Sequence, residues 1–305
     1  MSPETPSVSQ SFGFLLLLLS NGILIGMMYA LIALGFVLVY KATDAVNFAQ
    51  GEFVMIAGLV VAAALGVWGA PLWLSVSLGL VGMVVFGFAL ERVVLRKLIG
   101  RPIIAVVMAT IGLASILRGI GPATLGAGTK TLPLPISDEP IVIGPLFIPP
   151  IQLVGAGVSL LFLTGFGWFF LKSRKGIAMR AVADNQQVAM AMGIDVERYF
   201  GLAWAMTGIV SALGGIIWGN LLGVDVNLAL VGFKVFPVVI LGGLDSIPGA
   251  VIGGLIVGIV ENVAAGYVDP YVGGGTKDFA PYVLMIVALM IRPYGIFGKQ
   301  LIERV

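Results

Sequence analysis

Long hydrophobic runs fill the chain, and short polar clusters separate them. Apolar stretches lie at roughly 12–40, 53–70, 72–90, 103–120, 151–171, 200–219, 227–244, 248–266 and 280–297. A helix needs about 20 mostly apolar residues to cross a bilayer's hydrocarbon. The runs therefore predict an all-α polytopic membrane protein with eight or nine spanning helices, organised as one transmembrane domain over 1–305. The first run is long for one helix, and Asn21-Gly22 inside it predicts a bend or a lead-in segment. The seventh and ninth are short or interrupted, so the count stays between eight and nine.

The polar breaks are as informative as the runs. "VYKATDAVNFAQGEF" at 39–53 gathers Lys41, Asp44, Asn47, Gln50 and Glu52 between two apolar stretches. Asn47 and Gln50 have capping-box spacing. That spacing predicts a helix starting near Phe48, with Glu52 in its first turn, where a negative charge suits the helix dipole. The preceding helix then ends near Tyr40. A second break, in "LGGLDSIPGAVIGGLIVGIVENV" at 241–263, offers Gly242-Gly243 as a breaker, Asp245 or Ser246 as a cap and Pro248 for the first turn. Just before it, "LVGFKVFPVVIL" contains Lys234, which costs about 2.5–3.5 kcal/mol at membrane depth and must snorkel, pair with an acid or line water. Two readings of these breaks stay open. They are inert solvated turns, or they are capped half-helices at a polar path through the membrane.

The segment 172–199 is the longest polar loop. After the basic "KSRKG", Asp184 and Gln187 have capping-box spacing and Gly193 stands where a C-terminal cap belongs. The pattern predicts a helix over roughly 185–192. So short a helix is marginal alone, and Val188, Ala189, Met190, Ala191 and Met192 give it a surface with which to dock, either on its own bundle or on a partner. The Gly- and Pro-rich loop 121–150 reads as extended pieces with a small hairpin. Gly22-x-x-x-Gly26, Gly215-x-x-x-Gly219, Gly249-x-x-x-Gly253 and Gly254-x-x-x-Gly258 fit close helix packing.

Composition narrows the chemistry. The chain is 59% hydrophobic, more than a soluble domain of this length can hide. It has no Cys and no His, which excludes disulfides, thiolate or imidazole metal sites, Cys nucleophiles and Ser-His-Asp triads. A net charge of +2 gives no sign of a nucleic-acid partner. The cations cluster at 91–101, at 172–198 and in the tail from 292, whereas 121–150 holds only Lys130 and 267–280 only Lys277. The positive-inside rule places the three basic segments in the cytoplasm, with the C-terminus there and the N-terminus outside. No basic region precedes the first apolar run, so that run reads as a retained helix rather than a cleaved signal. "GAGTKT" at 126–131 and "GIFGKQ" at 295–300 fail the spacing of a phosphate-binding loop, so the chain offers no ATP site of that type.

Three segments carry a resemblance. "NGILIGMMYALIALGFVLVYKATDAVNFAQGEFVMIAG" (21–58), "GIAMRAVADNQQVAMAMGIDVERY" (176–199) and "VILGGLDSIPGAVIGGLIVGIVE" (239–261) resemble, in order, the permease subunits of branched-chain amino acid ABC importers. Urea and short-chain amide permeases share the pattern. The resemblance implies a bacterial inner-membrane translocation subunit that is not itself an enzyme and carries no cofactor. It would work with a second, related permease, two cytoplasmic ATPase subunits that bind the ATP, and a periplasmic substrate-binding protein. It makes the helix near 184–193 a coupling helix, with Arg180 and Asp184 flanking its start and Val188, Ala189, Ala191, Met192 and Gly193 at the docking surface. The path candidates are Asn47, Gln50, Glu52 and Lys234. A stand-alone secondary transporter or channel is the competing class. An intramembrane enzyme would need paired carboxylates, and Glu91, Asp225 and Glu261 show no signature spacing.

Overall fold

The computed structural model describes residues 8–98 and 101–298. The first seven residues and the tail cations Lys299 and Arg304 lie outside them. The chain runs α1 (Val8–Thr43), α2 (Gln50–Gly66), α3 (Leu72–Val93), α4 (Ile103–Leu125), a hairpin β1–β2 (Ile141–Ile143 and Leu146–Ile148), then α5 (Pro150–Lys172), α6 (Arg174–Asp184) and α7 (Gln186–Ala191). It finishes with α8 (Val196–Leu222), α9 (Leu230–Gly242), α10 (Ile247–Val272) and α11 (Thr276–Ile291). Short 3₁₀ turns cover Leu95–Leu98 and Val226–Ala229. Among the described residues, six helices are long and apolar enough to cross a membrane, and Gln50–Gly66 and Val226–Gly242 form two shorter apolar ones.

Burial sorts the helices into centre and periphery. The most apolar window of α1 is 83% buried within the chain and that of α8 72%, against 22% and 17% for the spans built on α3 and α4. α1 is therefore the post around which α5, α8, α9 and α10 pack. α3 and α4 turn Val81, Val85, Ile104 and Ile116 outward, as a lipid-facing or partner-facing surface requires.

α1 runs through Asn21-Gly22 as one continuous helix of 36 residues, so no break in the helix sets off a lead-in segment there. Gly22 and Gly26 are used for contact instead. A Cβ on Gly26 would come within 2.6 Å of the Gly254 carbonyl oxygen, and one on Gly22 within 2.7 Å of Ile259 Cα. Glycines on both helices let α1 and α10 approach backbone to backbone.

The links gather at two ends. At one end Gln186 bonds the Ala42 carbonyl, Arg96 pairs with Glu197, and Ile296 N–H donates to Leu241 O. At the other end Lys130 and Val224 form an antiparallel bridge, Asn220 donates to Leu132 O, and Gly13 lies against Pro145 of the hairpin. The loop 172–199 and the loop 121–150 thus sit at opposite ends of the bundle, as the charge pattern predicts.

Candidate functional site

The link 44–49 turns inward rather than staying at the surface. Asp44 takes φ 53°, a left-handed conformation that Asp tolerates better than most residues, and this reverses the chain. Phe48 N–H then donates to Thr110 Oγ1 at 3.2 Å, and Gln50 Nε2 donates to Ser211 Oγ at 3.1 Å. Ser211 lies about 22 Å along α8 from its start, at 1.5 Å per residue. α2 therefore begins deep inside the bundle, as non-helical backbone can only where protein surrounds it. The break is therefore not a solvated surface turn.

The local capping differs from the expected one. α1 continues to Thr43, and α2 starts at Gln50 behind Ala49, whose side chain cannot cap. Asn47 Oδ1 accepts from Ala49 N–H at 3.1 Å, while Asn47 Nδ2 faces Gln50 Oε1 at 3.4 Å. Asn47 and Gln50 are fully buried and spend their polar groups on one another and on Ser211. The two residues tie the break to α8.

Glu52 differs from them. Its side chain, 2% exposed, meets the Arg118 guanidinium from α4, which is 40% exposed. Glu52 is also in the first turn of α2, where the helix dipole favours its charge. The 3₁₀ turn before α9 packs against the same point: Gly51 abuts the Ala229 carbonyl and Gly232. The starts of α2 and α9 thus converge beside the ion pair. Phe36, Phe48 and Phe233 surround Phe236, with ring centroids 5.2, 5.2 and 6.4 Å from its own. An open groove of about 170 Å³ runs between Phe48, Glu52, Ile111, Ser115, Arg118 and Phe233.

Lys234 lies on α9 next to this cluster but faces away from it. Its Nζ is 2.8 Å from Asp278 of α11 and 3.9 Å from Glu261 of α10, so the pairing expected of an intramembrane lysine is met. Tyr282 Oη donates to Phe233 O alongside. Glu91, Asp225 and Glu261 sit in three separate networks: with Arg96, with Thr129, and with Lys234. They form no shared carboxylate site.

The 172–199 loop holds two helices rather than one. Ser173 caps α6 by accepting from Gly176 N–H. Asp184 ends α6, and its neighbour Asn185 caps α7 by accepting from Val188 N–H at 3.0 Å. The predicted Asp184 cap is therefore one residue out of register. Gly193 closes the element with φ 79°, as expected. Ala189 is buried in the chain's own core, whereas Val188, Ala191 and Met192, with Met190, are exposed. Arg180 lies back on α5, with its guanidinium 5.8 Å from the Phe170 ring centroid and donating to Leu171 O. Asp184 borders a cavity of about 480 Å³ with Tyr40, Lys41, Asp44, Asp245 and Tyr294.

Arg118, Thr110 and Ser211 were not singled out from the sequence. Arg118 carried a usable signal, as a lone cation inside the apolar run of α4. The two hydroxyls carried none, because Ser and Thr are ordinary in spanning helices.

The family model described as the permease component of the branched-chain amino acid transport system matches residues 18–291. The high-affinity branched-chain amino acid transport permease LivH of Escherichia coli K12 is 32% identical over 314 residues, covering 98% of this chain and all of that protein. The permease BraD of Pseudomonas aeruginosa is 31% identical, covering 94% of this chain and 97% of its own. Among solved structures, PsaBC from Streptococcus pneumoniae in complex with Fab aligns with a TM-score of 0.51 at 13% identity, covering 92% of this chain and 94% of that one. That likeness is one of fold.

Proposed function

The chain belongs to the branched-chain amino acid transport permease family, and from that premise we propose that it is the translocation subunit of an ABC importer for branched-chain amino acids. The observation that carries this reading is the match over nearly the whole chain, which includes both polar breaks and the 172–199 loop. Separate ATPase subunits supply the energy, and a binding protein delivers the substrate. A second, related permease completes the path. The chain itself hydrolyses nothing.

The basic end of the bundle faces the cytoplasm, which puts the N-terminus outside and α7 on the inner side of a bacterial inner membrane. α7 is the coupling helix. The exposed Val188, Met190, Ala191 and Met192 give it an adaptable apolar face for an ATPase groove, a use to which methionine is suited. Arg180, Asp184 and Gly193 shape that element, and the buried Ala189 anchors it from within. Glu52 lines the path, Asn47 and Gln50 fix the break that presents it, and Lys234 holds α9 to α10 and α11.

The test is reconstitution of the chain with a related permease, two ATPase subunits and the binding protein in proteoliposomes. ATP-dependent leucine uptake is expected. Uptake by the chain alone under an ion gradient, or ATP hydrolysis by the chain alone, overturns the reading.

A further inference from the structure

The groove at the start of α2 combines three features that a plain packing contact does not need. First, it contains a carboxylate and a guanidinium side by side, Glu52 and Arg118, one from a half-helix and one from a spanning helix. Second, the guanidinium side is open: the Arg118 side chain is 40% exposed and neighbouring Phe233 is 44% exposed. Arg118 stands about 22 Å along α4 from its start, at 1.5 Å per residue. That is also about 10 Å from the end of α4 at Leu125, still inside its apolar span, where a charge is costly against lipid and as a rule faces protein or water. Third, the Arg118 Nε donor is shut off from solvent and has no acceptor within the described chain, although a guanidinium carries five donors.

We propose that the Glu52–Arg118 pair and the Phe48–Phe233 wall form a binding station for a zwitterionic amino acid with an apolar side chain, on the face this chain turns to the translocation path. This deepens the importer reading and rests on it. The substrate carboxylate takes the open side of the Arg118 guanidinium, whose side chain is 40% exposed. The ammonium takes the carboxylate of Glu52, which has lone pairs left after the Arg118 contact. The aliphatic side chain lies against Phe48, Phe233 and Ile111. In the absence of substrate the two charges neutralise each other, so the station stays net neutral at membrane depth and exchanges one pairing for another as substrate passes. A neutral, dipolar ligand of matching length suits it. A ligand with a single net charge leaves one member of the pair unmatched.

The experiment uses the reconstituted importer with Glu52→Arg and Arg118→Glu introduced together. The swap restores an ion pair but reverses its polarity. Assembly with the ATPase subunits is expected to persist while leucine uptake falls about tenfold or more, the effect of losing charge-assisted bonds to substrate. Uptake equal to the parent makes the pair purely structural and overturns the station while leaving the importer reading intact. A parent complex that moves urea but no amino acid overturns both. Should the swapped chain fail to assemble, Ser115→Cys gives an independent readout in a chain without native cysteine. Maleimide labelling of that position is expected to slow when leucine is present during turnover, and equal rates with and without leucine overturn the station.

Discussion

Gln186, at the start of α7, donates its side-chain amide to the backbone carbonyl of Ala42, 144 positions earlier, at 3.1 Å. Ala42 is one residue from the end of α1, and the link that follows carries Asn47 and Glu52 into the bundle. The element proposed to feel the ATPase is thus bonded directly to the element that sets up the polar break. Gln186 also borders the small cavity between Thr43, Glu91 and Trp204.

Replacing Gln186 by Ala should remove that tie with little harm to folding. One neutral hydrogen bond is worth about 0.5–1.5 kcal/mol net. The expected outcome is a chain that still assembles with its ATPase subunits but uses more ATP per leucine moved. Simultaneous measurement of phosphate release and uptake in proteoliposomes checks it, and an unchanged ratio removes Gln186 from the coupling route.

The two faces of α7 should respond differently to the same substitution. Val188→Asp or Met192→Asp puts a charge on an exposed edge and should reduce copurification of the ATPase subunits, with the melting temperature of the chain nearly unchanged. Ala189→Asp buries an unpaired carboxylate and should destabilise the chain itself by several kcal/mol, because desolvation is uncompensated. Thermal unfolding in detergent, run beside copurification, separates the two. If Ala189→Asp melts like the parent, α7 is not seated on the core as described.

What was legible in the sequence was mostly local. The Ser246 cap, which accepts from Gly249 N–H, and Pro248 at the second helical position involve residues three apart or fewer, and their spacing sufficed to read them. Gly193 was readable for the same reason. Asp184 and Asn185 are adjacent and both suit a cap, so spacing alone does not choose between them; the structure uses Asn185. Ser211, which ties Gln50 to α8, and Arg118, which pairs with Glu52, lie 161 and 66 positions away. No spacing rule reaches that far, so their polarity was visible but their pairing was not. Burial of Ala189 was hidden because five consecutive apolar residues show no preferred face.

Gly26 should be among the least replaceable residues of α1. A Cβ there would stand 2.6 Å from Gly254 O and 2.9 Å from Leu255 Cα, and both are backbone atoms that cannot rotate away. Gly26→Ala is expected to cost about 1–3 kcal/mol, the usual range for overpacking. Gly112, inside α4, has open space around its Cβ position. Gly112→Ala should be neutral or stabilising by up to about 1 kcal/mol, from helix propensity alone. Melting temperatures of the two variants should move in opposite directions or differ clearly. Equal effects would remove close α1–α10 packing as the reason for that glycine.

Asp225 supplies a pH dependence whose sign is set by its contacts. Burial pushes its carboxyl up, but hydrogen bonds from Thr129 Oγ1 at 2.9 Å and from Asn227 N–H at 2.8 Å favour the charged form more, so it is held below the ordinary carboxylate range. A carboxyl depressed on folding adds stability above its unfolded pKa, and that stability is lost as pH falls through the lower, folded value. The charged form caps the 3₁₀ turn Val226–Ala229 that leads into α9 beside Glu52. Acidification into and below the ordinary carboxylate range should therefore loosen the bridge between Lys130 and Val224 and the start of α9 together. Asp225→Asn should lower the melting temperature at neutral pH and leave a flatter acid limb than the parent. Thr129→Val should act in the same direction with a smaller effect, since it removes one of the bonds and leaves the carboxylate. Parallel melting curves for parent and Asp225→Asn across the acid range would show that this carboxylate does not govern the limb.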